Sequence, residues 1–195
     1  PKKITIGDIT VRDGFQHEET LIPTTAKLWL SEQLILAGFR KIEVTNFGNP
    51  KGMPQFADAD DLLKALHNSK KVKDILSEVE VTAVTIRERS IERAIQAKKE
   101  GWGPDRILLM VSTSETHHRK NSGLSLDEYW KMSEEYIKKA TDVGIKVNGT
   151  VSTIWGCPID GPTEMSKAVE FTKRWLDIGA TDVEHADHDG SASPD

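Results

Sequence analysis

One cysteine, Cys157, stands in 195 residues. That scarcity excludes an intrachain disulfide framework and any cysteine cage for zinc, and it suits a reducing compartment, so the cytoplasm is the expected location. Long apolar runs are missing as well. No stretch of about 18 apolar residues could span a bilayer, and the opening Pro1-Lys2-Lys3-Ile4 lacks the apolar segment of a signal peptide. Positive charge is not in excess: 26 Lys and Arg face 31 Asp and Glu, for a formal net charge of -5, which argues against a broad footprint for nucleic acid or anionic lipid. Glycine-rich phosphate loops are absent too. No G-x-G-x-x-G follows the first expected strand, no Walker A pattern occurs, and Gly101-Trp102-Gly103 precedes a strand instead of following one. An initiator methionine is lacking, which implies a processed chain or one cut from something longer.

What is present is a rhythm. Short β-branched runs at Ile4–Val11, Lys41–Thr45, Glu80–Ile86, Arg106–Val111, Lys146–Thr153 and Thr181–Glu184 read as six strands. Between them lie segments of helical length. In Pro162–Ile178 the residues Met165, Val169, Thr172 and Leu176 share a face that is expected to pack on a sheet, with Ala168 and Trp175 beside it. Ser125-Leu126-Asp127-Glu128 has the form of a capping box, and Pro162 is placed where a missing N–H costs little. Gly38, Gly101, Gly144 and Gly179 close helical patterns and lead into the next strand. Strict alternation of this kind means an α/β fold with parallel strands, either an open doubly wound sheet or a closed eightfold (β/α)8 TIM barrel. Six units in 195 residues are too few for a whole barrel of about 250 residues, so residues 1–195 are expected to form a single partial TIM-barrel domain.

In such folds ligands meet the C-terminal ends of the strands, and those ends are polar here. Asp13, after the first strand, suits a hard Mg²⁺ or Mn²⁺ ion. Arg12 could stabilise an enolate or carboxylate oxygen, with Glu43 orienting it; an Arg12–Glu43 ion pair that merely plugs the barrel end is the plainer alternative. His185 and Asp187 alternate onto one face, and His185 and His188 are candidates for metal binding or proton transfer, or else histidines bonded to backbone. His117-His118-Arg119-Lys120 could hold an anionic substrate tail such as a phosphate or be a solvated basic loop. Ser152 adds a hydroxyl to the fifth strand end. Cys157 could be a nucleophile, though a buried structural thiol is commoner.

Taken together, VRDGFQHEE (Val11–Glu19), IEVTNFGNPKGMPQFAD (Ile42–Asp58), SETHHRKN (Ser114–Asn121) and VSTIWGCPIDG (Val151–Gly161) resemble hydroxymethylglutaryl-CoA lyase, of the DRE-TIM metallolyases, in order and over nearly the whole chain. The resemblance implies a (β/α)8 barrel with a divalent ion, Mg²⁺ or Mn²⁺. It matches Asp13 to the metal-binding aspartate, Arg12 to the catalytic arginine, Glu43 to the strand-two glutamate, Gln16 to the motif glutamine and Asp187 to a strand-six aspartate.

Departures accompany it. The family's strand-seven H-x-H ligands, a later asparagine ligand and a reactive loop cysteine have no counterpart, Glu19 replaces a usual lysine, and His188 replaces a threonine. The implied activity is metal-dependent retro-Claisen cleavage of a 3-hydroxy-3-methylglutaryl-CoA-like thioester, with Arg12, Glu43 and Asp187 catalytic and Gln16, Arg119, Lys120 and Ser152 binding substrate. An acyl-CoA and 2-oxoacid condensing synthase, a non-catalytic partial barrel and, more weakly, a biotin-dependent carboxyltransferase are the alternatives. The expected partners are a small acyl-CoA and either further copies of the chain or a missing C-terminal segment.

Overall fold

A computed structural model describes residues 4–187 together with Gly190 and Ala192. The chain divides into two compact units, Pro1–Thr85 with Arg89–Ile107, and Ile86–Glu88 with Leu108–Asp195. Among the described residues six α-helices and five strands follow one another, alternating except that α4 leads directly into α5. They are α1 (Thr24–Leu36), β1 (Lys41–Asn46), α2 (Ala59–His67), β2 (Glu80–Val84), α3 (Glu88–Lys99), β3 (Arg106–Ser112), α4 (Glu115–Ser122), α5 (Leu126–Thr141), β4 (Lys146–Ser152), α6 (Met165–Asp177) and β5 (Asp182–His185).

The strands are ordered β1-β2-β3-β4-β5, and β1 pairs in parallel with β2 as β4 does with β5. A doubly wound sheet reverses its strand order at a switch point. Sequential order is that of the singly wound (β/α)8 class, so it decides between the two arrangements that the sequence rhythm left open. Gly38, Gly101, Gly144 and Gly179 all adopt positive φ, the left-handed stop that lets each helix turn back to a strand.

The expected first strand is not one. Ile4–Val11 contributes a single bridge, Asp8 to Ile42, made by Asp8 N–H to Lys41 O at 3.0 Å and Glu43 N–H to Asp8 O at 2.8 Å. Ile4 and Ile6 are 85% and 72% exposed, so this stretch buries no apolar face that would hold it extended. The chain instead turns at Asp8. Its carboxylate accepts from Thr10 N–H at 2.9 Å and from the Thr10 hydroxyl at 3.2 Å, and a π-helical turn, Thr10–Gly14, follows with Val11 buried beneath it.

In the first unit the core is built by Ile42 and Val44 of β1, Leu62, Leu63 and Leu66 of α2, Val81 and Ala83 of β2, and Ile91 and Ala94 of α3. The spacing of the α2 leucines, at i, i+1 and i+4, is that of one buried helix stripe. α1 is unusual because its buried face is polar. Lys27, Ser31 and Glu32 are buried beside Ile35, and each charge has partners: Lys27 binds Asp58 at 2.8 Å, while Glu32 takes Ser69 at 2.6 Å and Lys71 at 2.7 Å.

In the second unit α5 starts where the capping box places it. Ser125 accepts from Glu128 N–H at 3.3 Å, and the Glu128 carboxylate accepts from Ser125 N–H at 2.8 Å. α6 begins at Met165, three residues after Pro162, and buries a different face from the one its periodicity suggested. Ala168, Phe171 and Trp175 are buried, whereas Met165, Val169 and Leu176 are about half exposed. The reason is steric. Trp175 lies against Gly149 of β4, and its ring and that of Phe171 meet Trp130 of α5 edge to face at 4.7 and 5.5 Å. Two large aromatic surfaces outweigh the aliphatic stripe in choosing the helix's rotation.

Candidate functional site

Each unit carries its own polar cluster. In the first, the π-helical turn presents Arg12 and Asp13, Gln16 follows one turn on, and β1 supplies Glu43. The Arg12 guanidinium donates through Nε to Glu43 Oε1 and through Nη1 to Asp13 Oδ1 at 2.6 Å, with Gln16 Oε1 at 3.4 Å from the same nitrogen. One planar cation thus holds two carboxylates in a fixed fork. The Glu43 side chain is 7% exposed and that of Asp13 is 45% exposed, so Glu43 is the buried anchor of the cluster and Asp13 its open face. The Arg12–Glu43 ion pair exists, and it sets the guanidinium beside the half-exposed carboxylate of Asp13.

In the second unit the cluster lies at the ends of β3 and β4. Thr153, just past β4, has φ of 60°, a conformation that a β-branched residue adopts only when its surroundings impose it. Its hydroxyl is 2.7 Å from that of Ser112 and 2.9 Å from that of Thr113, and its carbonyl accepts from Thr113 at 2.8 Å and from Thr163 at 2.7 Å. Ser114 caps α4 by accepting from His117 N–H at 3.0 Å and donates to Asp160. Cys157 is buried, as the plainer reading expects, and its sulfur accepts from Ile159 and Asp160 N–H at 3.3 and 3.4 Å. Burial pushes its thiol up and the Asp160 charge adds to that. The Ser114 contact and the two amides more than offset both, holding it below its ordinary value. Sequence pattern gave no sign of the Thr153 strain or of Asp160.

The remaining predicted residues are placed as follows. Ser152 is buried and donates to Val111 O at 3.2 Å. Arg119 and Lys120 stand exposed on α4, Arg119 bonded to Glu115 at 3.2 Å. Asp187 is exposed and accepts from Ala192 N–H at 3.0 Å. His185 turns to α6, with Nε2 at 2.8 Å from the Thr172 hydroxyl, so that nitrogen is engaged with the helix. His188 lies outside the described residues.

His117 and His118 belong to a helix and are buried, not part of a solvated loop. Burial lowers His118 to about 4, against the attraction of Glu115, and its ring stands edge to face on Tyr129 at 4.8 Å. From about pH 6.5 down to about pH 4 the unfolded chain binds a proton that folded His118 refuses, so stability present at pH 7 is lost over that window, by about 3 kcal/mol. Half-buried His67 is lowered in the same direction, again by its removal from water. His118→Phe keeps a ring against Tyr129 and cannot titrate, so its urea midpoint should fall clearly less than that of the wild type between pH 7 and 4.5; equal falls would contradict the assignment.

For a hard divalent ion the donor set is thin. Among the described residues no group of three or more His, Cys, Asp or Glu side chains is gathered to hold a metal, while such ions take about six oxygen ligands. Asp13 offers one exposed carboxylate and Glu43 is committed to Arg12. The described residues do not by themselves fit the ion. Nor is any helix among them long and apolar enough to cross a membrane.

The fold and these strand-end clusters define an α/β chain of the (β/α)8-barrel class. The comparisons narrow the class. A family model described as HMGL-like matches residues 3–195, and the chain belongs to that family. It is 30% identical over 194 residues to the mitochondrial hydroxymethylglutaryl-CoA lyase of Bos taurus, covering all of this chain and 56% of that protein. It is 28% identical to hydroxymethylglutaryl-CoA lyase YngG of Bacillus subtilis, covering 61% of it. The crystal structure of the Bacillus subtilis HMG-CoA lyase superposes with a TM-score of 0.87 at 28% identity, over 100% of this chain and 61% of that one. An HMG-CoA lyase from Acinetobacter baumannii, solved in complex with coenzyme A and 3-methylmalate, gives 0.85 at 25% identity over 97% and 58%. The chain therefore spans rather more than half the length of these relatives and corresponds to a partial barrel.

Proposed function

We propose that the protein is a carbon–carbon lyase that cleaves a 3-hydroxy-3-methylglutaryl-CoA-like thioester by a retro-Claisen step. The observation that carries this reading is the Arg12 guanidinium, fixed by buried Glu43 beside the exposed carboxylate of Asp13, in a chain of the HMGL-like family. In the reaction a base takes the proton of the substrate's tertiary hydroxyl. The oxygen's electron pair forms a ketone as the bond between C2 and C3 breaks, and those bonding electrons pass into the thioester as an enolate. A proton delivered to carbon then gives acetyl-CoA.

Arg12 supplies positive charge for the enolate oxygen, where a fixed donor is worth most because it needs no reorganisation. Glu43 holds the guanidinium plane, and Gln16 supports the same nitrogen. Asp187 is assigned to proton transfer. Arg119 and Lys120 suit the phosphates of the coenzyme, and Ser152 is assigned to substrate binding. The family resemblance implies a divalent ion. Asp13 is one oxygen donor toward it, and the ion would supply Lewis-acid polarisation of the substrate oxygens. The single buried thiol suits a reducing compartment such as the cytoplasm.

The reading is tested by incubating the protein with 3-hydroxy-3-methylglutaryl-CoA and, separately, with acetyl-CoA plus a 2-oxoacid. Release of acetyl-CoA in the first mixture is expected. Consumption of acetyl-CoA in the second, with none released in the first, would assign a condensing synthase instead.

A further inference from the structure

Between Val11 and Lys27, which are both buried, no described residue is buried. The stretch from His17 to Pro23 has no helix or strand, yet it directly follows Gln16 and, just before it, the turn that carries Arg12 and Asp13. Of its apolar side chains, Leu21 is 61% exposed and Ile22 only partly covered. Among the described residues, the hydrogen bonds that tie it to a distant part of the first unit all come from one side chain. Gln55 Oε1 accepts from Ile22 N–H at 3.1 Å, and Gln55 Nε2 donates to Glu18 O at 2.9 Å and to Thr20 O at 2.7 Å.

The amide is thereby fully used, with one acceptor and both N–H donors engaged. Its orientation is fixed by its partners, because a flipped amide would set N–H against N–H and oxygen against two carbonyls. Gln55 is itself 5% exposed and sits in the short 3₁₀ turn Pro54–Phe56. Lys27 clamps that turn by donating to the Gln55 carbonyl and to Asp58 Oδ1, while Asp58 Oδ2 accepts from Thr24 at 2.7 Å. The exposed loop after β1, Asn49–Gly52, leads into the same turn.

We propose that Gln55 is a positioning residue, whose amide tethers residues 17–23 and through them holds Gln16 and the turn that presents Arg12 and Asp13. As far as it concerns catalysis this rests on the lyase reading; as a statement about the turn it does not. A buried neutral amide suits the task better than a carboxylate, which could accept from Ile22 but would face two carbonyl oxygens with no hydrogen to give. Methionine is close to glutamine in length and apolar, so Gln55→Met fills the same space and removes all three bonds at once.

The experiment follows native-state hydrogen exchange of the whole chain for wild type, Gln55→Met and Ser69→Ala. The last removes a buried hydrogen bond to Glu32 elsewhere in the same unit and serves as a control for general loss of stability. In Gln55→Met, amides from Arg12 to Ile22 should exchange about tenfold faster or more, while those of β1 and α2 keep their rates relative to the control. Unchanged exchange over residues 12–22, or acceleration spread evenly over the unit as in Ser69→Ala, overturns the proposal. Turnover is read in parallel. Gln55→Met should lower kcat about tenfold with a smaller change in KM, which Ser69→Ala should not. A wild type that exchanges as expected but releases no acetyl-CoA sinks the lyase reading and leaves the exchange comparison to decide the role of Gln55.

Discussion

Arg12→Gln should lower acetyl-CoA release about 10³-fold, the scale on which a single preorganised donor to a developing oxyanion acts. The loss should fall on kcat more than on KM, because the charge that Arg12 meets is present in the transition state and not in the bound thioester. The substitution also strips a cation from Glu43, whose side chain is 7% exposed, and breaking a buried pair costs about 3–5 kcal/mol. Loss of fold could therefore imitate loss of chemistry. Arg12→Gln combined with Glu43→Gln separates them: a neutral pair restores most of the stability and none of the turnover. Arg12→Lys should not rescue, since an ammonium is a single point of charge and cannot reach Glu43 through Nε and Asp13 through Nη1 together. Recovery of turnover in the neutral double variant would show that Arg12 serves the fold alone.

Gly149→Ala should destabilise the second unit by about 3 kcal/mol, at the upper end of what one added methyl costs in a packed core. A Cβ at position 149 would stand 2.4 Å from Cγ and from Cδ2 of Trp175 and 2.9 Å from its Cβ. The indole has nowhere to retreat. It is fully buried, meets Trp130 edge to face at 4.7 Å and donates through Nε1 to Thr150 O at 3.3 Å. Urea unfolding followed by circular dichroism measures the loss. Trp175→Leu introduced alongside removes the clash, so the two substitutions should couple by more than about 1 kcal/mol; additive losses would mean that strand and helix are not in the contact described.

How far the sequence reached follows from the kind of signal each feature leaves. Five of the six expected strands are present because β-branched runs between turn residues report a buried sheet directly. Ile4–Val11 carries the same pattern and fails because pattern records propensity and not whether a partner covers the strand, and Ile4 and Ile6 have none. The buried face of α6 departs from its periodicity for a related reason: Met165, Val169 and Leu176 make the better stripe, yet a glycine on β4 admits Trp175 and turns the helix. Partial-barrel architecture was legible from the alternation and from the family resemblance.

In the candidate site, Arg12, Asp13 and Glu43 could be named from their places at strand ends and in the resembling motif, and the structure brings all three together around one guanidinium. Less visible were residues that act through backbone. Gln55 binds carbonyls and an amide 33 to 37 residues away, and Thr153 matters through its φ angle; neither leaves a mark in composition or spacing. His185 shows the opposite failure, a residue type rich in chemical promise whose nitrogen bonds a threonine on the neighbouring helix.

The central claim is that Arg12 stabilises a thioester enolate, and the most direct measurement is deuterium incorporation into the methyl group of acetyl-CoA incubated with the protein in D₂O, which reads enolate formation apart from carbon–carbon cleavage. The account predicts incorporation with wild type and only background exchange with the Arg12→Gln, Glu43→Gln double variant. No incorporation by the folded wild type, or equal incorporation by the double variant, would contradict it.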